Sequence, residues 1–117
     1  PQLILPLMPN YMSKISRDAA KALLHGNRFN RGNTKVKVYD DGSREMLLHG
    51  NCIAFITNEN RLFISSCGWT TATTKSRLNA LPKVRIQQRN YMWFLNGDYW
   101  TGVTTEITKW HSFYGMY

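Results

Sequence analysis

The sequence predicts an α+β domain: one N-terminal helix, an antiparallel sheet of about five to seven strands, and a short second helix packed on the sheet. Three observations predict it. Apolar residues recur at helical spacing near the start of the chain, where Met12, Ile15, Ala19, Ala22 and Leu23 form one stripe. From Thr34 onward the pattern becomes alternating, punctuated by short turn signals. A threonine-rich helix start then stands near Thr73 and Thr74.

The elements follow in order. Residues 1–12 carry Leu3-Ile4-Leu5-Pro6-Leu7-Met8-Pro9, which is apolar but short, proline-broken and without a basic flank. It reads as an extended arm and not as a signal peptide. Residues 13–24 form the first helix, capped by Ser13 or Ser16, with Asp18 suited to its N-terminal part and Gly26 to its left-handed end. Lys14, Arg17 and Lys21 share the opposite, solvated side. Residues 27–33 read as a loop. Residues 34–39 alternate, with Val36 and Val38 on one face and Lys35, Lys37 and Tyr39 on the other. Asp40-Asp41-Gly42-Ser43 is a hairpin turn, and residues 44–48 return. After a break at Gly50-Asn51, residues 52–57 and 61–66 flank a second hairpin turn. Thr73 or Thr74 caps the second helix, which runs to Leu81 and ends at Pro82. Residues 84–95 read as one long strand, and Asn96-Gly97-Asp98 turns it back into residues 99–103. Residues 104–117 hold Trp110, Phe113, Tyr114 and Tyr117, too aromatic for a disordered end. One domain results: an arm (1–12), an α+β core (13–103) and an aromatic tail (104–117).

Composition narrows the function. The formal net charge is +8, with 15 Lys and Arg against 7 Asp and Glu. That excess favours an anionic partner. No stretch approaches the length of a membrane helix, so no membrane partner is expected. Cys52 and Cys67 are the only cysteines, and two buried free thiols are expected in preference to a cross-strand disulfide. The three histidines are scattered and no Cys-x-x-Cys occurs, so neither a metal nor another cofactor is expected. Glycine-rich phosphate loops are missing, which argues against an ATPase or a Rossmann enzyme. No catalytic constellation stands out. A small metal-free nuclease using His49 is the third reading of function.

The leading constellation is basic and aromatic. In one strand, Arg85, Gln87, Arg89, Tyr91 and Trp93 would share a face, where cations meet phosphates and rings stack on bases; the alternative is ordinary sheet packing, with a bulge at residues 88–90 reversing the parity and Tyr91 and Trp93 in the core. Lys35 and Lys37 would extend that track. Lys75 and Arg77 would hold phosphate at the start of the second helix, with Trp69 as a further stacking ring. The expected partner is nucleic acid, DNA or RNA. The alternative is protein–protein contact through Trp110, Phe113 and Tyr114 of the tail.

Three pieces also carry a resemblance. They are Leu48-His49-Gly50-Asn51-Cys52-Ile53-Ala54, then Gly68-Trp69-Thr70-Thr71-Ala72-Thr73-Thr74-Lys75-Ser76-Arg77-Leu78-Asn79-Ala80-Leu81, then Gln88-Arg89-Asn90-Tyr91-Met92-Trp93-Phe94-Leu95. Together they resemble small proteins of tailed bacteriophages. The shared pattern is a His-Gly-Asn strand start, a Gly-Trp-x-Thr-x-Thr-Thr-Lys/Arg-x-Arg-Leu-Asn turn and a Trp-containing strand. The resemblance covers residues 34–102. It implies a phage origin and action in the cytoplasm of an infected bacterial host, and it transfers no catalytic residue. It also sharpens the alternative to a non-enzymatic inhibitor of a host enzyme or defence complex, or a phage assembly protein.

Overall fold

The structure is a computed structural model and describes residues 13–111. The apolar arm and the tail residues Phe113 and Tyr114 lie outside the described residues. The fold is α+β, with a helix first and a short second helix, as the sequence predicts.

Helix α1 spans Lys14–His25. Of the two candidate serines, Ser13 is the cap: its Oγ accepts from the Ser16 N–H at 3.1 Å. Gly26 closes the helix at φ 73°, as its position suggests. Asp18 serves neither end. Its carboxylate instead accepts from Lys14 at 3.1 Å and Arg31 at 2.8 Å, which holds its pKa below the usual value, Arg31 contributing most. The last carbonyls of α1 are taken by Arg44, whose Nε donates to Leu23 O and Nη2 to Leu24 O.

Six strands then form one antiparallel sheet: β1 (Phe29–Arg31), β2 (Thr34–Val38), β3 (Arg44–Leu48), β4 (Asn51–Ile56), β5 (Leu62–Ile64) and, after a long excursion, β9 (Thr105–Ile107). Strand β1 lies inside the segment that reads as a loop, because Phe29 is its only apolar residue. Strand β9 begins the expected tail and pairs with β5, Leu62 opposite Ile107. Both helices pack on one face of this sheet. Val36, Met46, Ala54, Ile56, Leu62 and Ile64 meet Ala19, Leu23 and Leu78 there in the core. The register shifts at Met46/Leu47, so Ile53 has no partner and is left fully buried.

The excursion contains α2 (Ala72–Asn79) and a second sheet of β6 (Ile86–Arg89), β7 (Met92–Leu95) and β8 (Asp98–Tyr99). The single long strand expected over residues 84–95 is instead a hairpin. Asn90 and Tyr91 turn it with φ of 51° and 68°, and Arg89 lies opposite Met92. Nothing about a tyrosine advertises such a turn, whereas the equivalent Asn96-Gly97 does. Asn79 ties α2 to this sheet: its Oδ1 accepts from the Ile86 N–H at 2.6 Å and its Nδ2 donates to Ile86 O at 3.1 Å. Gly102 passes so close to the large sheet that a Cβ there would overlap Ser66 Oγ, at φ 93°.

Candidate nucleic-acid interface

Alternation along β2 turns Thr34 and Val36 inward and leaves Lys35 and Lys37 exposed. Strand β1 pairs with β2 only as far as Phe29 opposite Val36. Past that point the margin of β2 opens into a recess of about 540 Å³, lined by Arg28, Asn30, Lys35, Lys37 and Tyr39 among others. An adjoining recess of about 400 Å³ shares Asn30, Lys35 and Lys37 and adds Leu47, His49 and Gly50. His49 also lines a third cavity, of about 300 Å³, with Leu48, Asn51, Ile53, Trp69, Thr71, Thr73 and Thr74. No carboxylate lines any of the three.

The cations of this margin are uncommitted. Among the described residues, Arg28, Lys35 and Lys37 make no ion pair, whereas Lys14 and Arg31 share Asp18 and Arg61 grips Glu106 at 2.9 Å. Glu45 stands opposite Lys37 on β3, but its carboxylate accepts the Tyr39 hydroxyl. That hydrogen bond raises the tyrosine pKa. Lys75, half-buried on α2, also lacks an ion pair among the described residues.

The third cavity joins two of the motifs. His49-Gly50 is a two-residue turn with φ of 51° and 83°, closing Leu48 onto Asn51. A histidine in this left-handed region costs stability that glycine or asparagine would not. Across the cavity, Thr71 caps α2, not Thr73 or Thr74: Thr71 Oγ1 accepts from the Thr74 N–H at 3.2 Å. The Thr71 and Thr74 hydroxyls also bond each other at 3.0 Å, with Thr74 fully buried. Trp69 is 58% exposed on the rim.

Several expected contacts prove to be scaffold. Arg77 does not reach toward solvent phosphate; it is 6% exposed. Its Nε donates to Thr34 Oγ1 at 2.8 Å, its Nη1 to Ser16 at 2.8 Å and Ser13 at 3.3 Å, and its Nη2 to Asn33 at 3.1 Å. The guanidinium thus bolts α2 to the N-terminus of α1 and to the β1–β2 turn, and burial lowers its pKa. Trp93 is not a stacking platform either. It is 4% exposed and stacked on Trp100, with centroids 6.2 Å apart. Folding back at Asn90-Tyr91 reverses the parity: Ile86, Trp93 and Leu95 turn inward.

The opposite face of the small sheet keeps the arginines with different rings. Arg89 lies over the Phe94 ring at 4.2 Å, and Phe94 meets Tyr99 edge-on at 6.0 Å. Arg85 is exposed on the same parity, and Tyr91 stands 95% exposed at the hairpin tip. This patch does not join the Lys35 and Lys37 margin. The small sheet shares a recess with β9, four strand spacings from β2, or about 19 Å. Sequence periodicity could not separate the two clusters, because the separation depends on strand order.

Trp110, expected at a partner interface, is 5% exposed and donates from Nε1 to Asn60 O at 2.9 Å. It closes the core at the β4–β5 turn. Both cysteines are free; Cys52 is half-buried, and Cys67 is exposed, not buried, and donates to Cys52 O at 2.7 Å. Among the described residues no cluster of His, Cys, Asp and Glu could hold a metal ion, and no helix is long and apolar enough to cross a membrane.

The family described as Kyanoviridae Gp96 protein matches residues 12–115 of the chain. No curated protein and no solved structure matches it.

Proposed function

We propose that this chain, which belongs to the Kyanoviridae Gp96 protein family and is a tailed-phage protein, binds single-stranded nucleic acid along the margin formed by β1, β2 and the β3–β4 turn. The observation that carries the reading is the charge sorting. Three adjoining recesses are lined by Arg28, Lys35, Lys37 and His49 and by no carboxylate, while Lys14, Arg31 and Arg61 are already paired with Asp18 and Glu106. A polyanion displaces no ion pair there, and the carboxylate of neighbouring Glu45 is engaged by the Tyr39 hydroxyl. Tyr39, 43% exposed, and Trp69, 58% exposed, stand at the two ends and offer ring faces that only unpaired bases can reach.

The test is a titration with short single- and double-stranded DNA and RNA at two salt concentrations. Three phosphate contacts give a log–log salt slope of about −2 for single strands. Binding that is independent of salt, or equally tight to duplex, removes the reading.

A second reading has its own observation. The outer face of the small sheet gathers Arg89, Met92, Phe94 and Tyr99 beside the protruding Tyr91, a composition typical of protein contacts. On that reading the protein is a non-enzymatic inhibitor of a host factor or an assembly component. A host-protein complex lost on Tyr91→Ser with Tyr99→Ser supports it, and a complex indifferent to both rejects it.

A further inference from the structure

The cavity beneath Trp69 does more than continue the basic margin. Resting on the single-strand reading, we infer that it seats one unstacked nucleobase, whose flanking phosphates lie toward Lys35 and Lys37. Its volume of about 300 Å³ is at the lower end for small-molecule sites, and its inner wall is Leu48 and Ile53. A planar ring can enter against the Trp69 indole, the most exposed tryptophan side chain among the described residues.

The mouth carries polar groups without partners. The side chains of His49, Asn51 and Thr73 and the Trp69 Nε1 make no hydrogen bond among the described residues, whereas no deeply buried side-chain polar atom lacks one. These polar groups ring an apolar hollow. An asparagine carboxamide offers one donor and one acceptor edge, the pattern that pairs with a base edge. No carboxylate lines the hollow, and His49 connects it to the recess holding Lys35 and Lys37. Lys35 and Lys37 stand on the solvent face of β2 and the hollow on the helix-packed face, so a strand passes from one to the other around the His49-Gly50 turn.

The experiment compares an intact single strand with an abasic strand of the same length, for the wild type, Trp69→Ala, and Lys35→Ala with Lys37→Ala. Base stacking predicts that the wild type prefers the intact strand by about tenfold to a hundredfold. Trp69→Ala lowers that ratio several-fold, to what Tyr39 alone contributes, and leaves the salt slope unchanged. Lys35→Ala with Lys37→Ala lowers the slope and keeps the ratio. Asn51→Ala serves as a second, smaller lesion of the same cavity and reduces the ratio in part. Equal wild-type affinity for both strands, or a ratio that Trp69→Ala does not lower, overturns the base pocket while leaving phosphate binding intact. Failure of the wild type to bind either strand overturns both the pocket and the reading beneath it.

Discussion

Replacing Arg77 by Met separates scaffold from binding surface most sharply. The side chain keeps an unbranched apolar stem and loses a charged fork that donates to Thr34, Ser16, Ser13 and Asn33. Hydrogen bonds to a charged group each contribute about 1.5–3 kcal/mol. Two terms reduce the sum. The guanidinium no longer has to be desolvated. The abandoned oxygens also keep other partners: Ser13 and Ser16 bond each other at 3.0 Å, Ser16 bonds Ser76 at 2.8 Å, and Thr34 bonds Asn33 at 2.8 Å. The expected loss is therefore about 2–4 kcal/mol, out of a total stability of about 5–15 kcal/mol. Urea unfolding followed by tryptophan fluorescence reads it as a lower midpoint with an unchanged slope. Lys75→Met, which breaks no bond of this kind, stays within about 0.5 kcal/mol of the wild type. If Arg77→Met is as stable as the wild type and instead weakens nucleic-acid binding with a smaller salt slope, the scaffold assignment is wrong.

Other expectations follow from the same geometry. Trp93→Ala should lose about 3–5 kcal/mol because the ring fills core space against Trp100, while Tyr91→Gly should gain about 1 kcal/mol by relieving a left-handed tyrosine; calorimetry of both variants shows whether the hairpin is placed correctly. Gly102→Ala should cost about 2–5 kcal/mol, since the added Cβ sits 2.8 Å from Ser66 Cβ at a positive φ, and a melting temperature equal to the wild type would contradict that close approach. Burial, followed by the hydrogen bond with Glu45, pushes the Cys52 thiol up to about 12, so it stays protonated near neutrality. Iodoacetamide should then label exposed Cys67 first, as peptide mass spectrometry can read, and earlier labelling of Cys52 would refute it.

Local signals in the chain were readable wherever they act alone. Ser13, Gly26 and the Asp40 to Ser43 turn each carry their own conformational reason, and the structure uses all three. The Asn90-Tyr91 turn was hidden because tyrosine has no intrinsic preference for positive φ, so residues 84–95 read as continuous. Once that turn is missed, every side chain after it is assigned to the wrong face, as Trp93 shows. Arg77 was unreadable for a different reason. Its burial depends on oxygens from Ser13, Ser16, Asn33 and Thr34, which only the packing of α1, the β1–β2 turn and α2 brings together. The candidate site follows the same rule. Lys35 and Lys37 are visible in the alternation of β2, whereas the cavity exists only because residues 48–53 and 69–74 meet across the sheet.

On the proposed function, the recesses along β2, which no carboxylate lines, meet a nucleic-acid backbone, and the arginines of the small sheet do not. The most direct measurement is the salt dependence of single-strand affinity in two double variants: Lys35→Ala with Lys37→Ala, and Arg85→Ala with Arg89→Ala. The first should reduce the slope by about 1.4, two contacts' worth, and the second should leave it unchanged. A slope that falls with Arg85 and Arg89 and ignores Lys35 and Lys37 would contradict it.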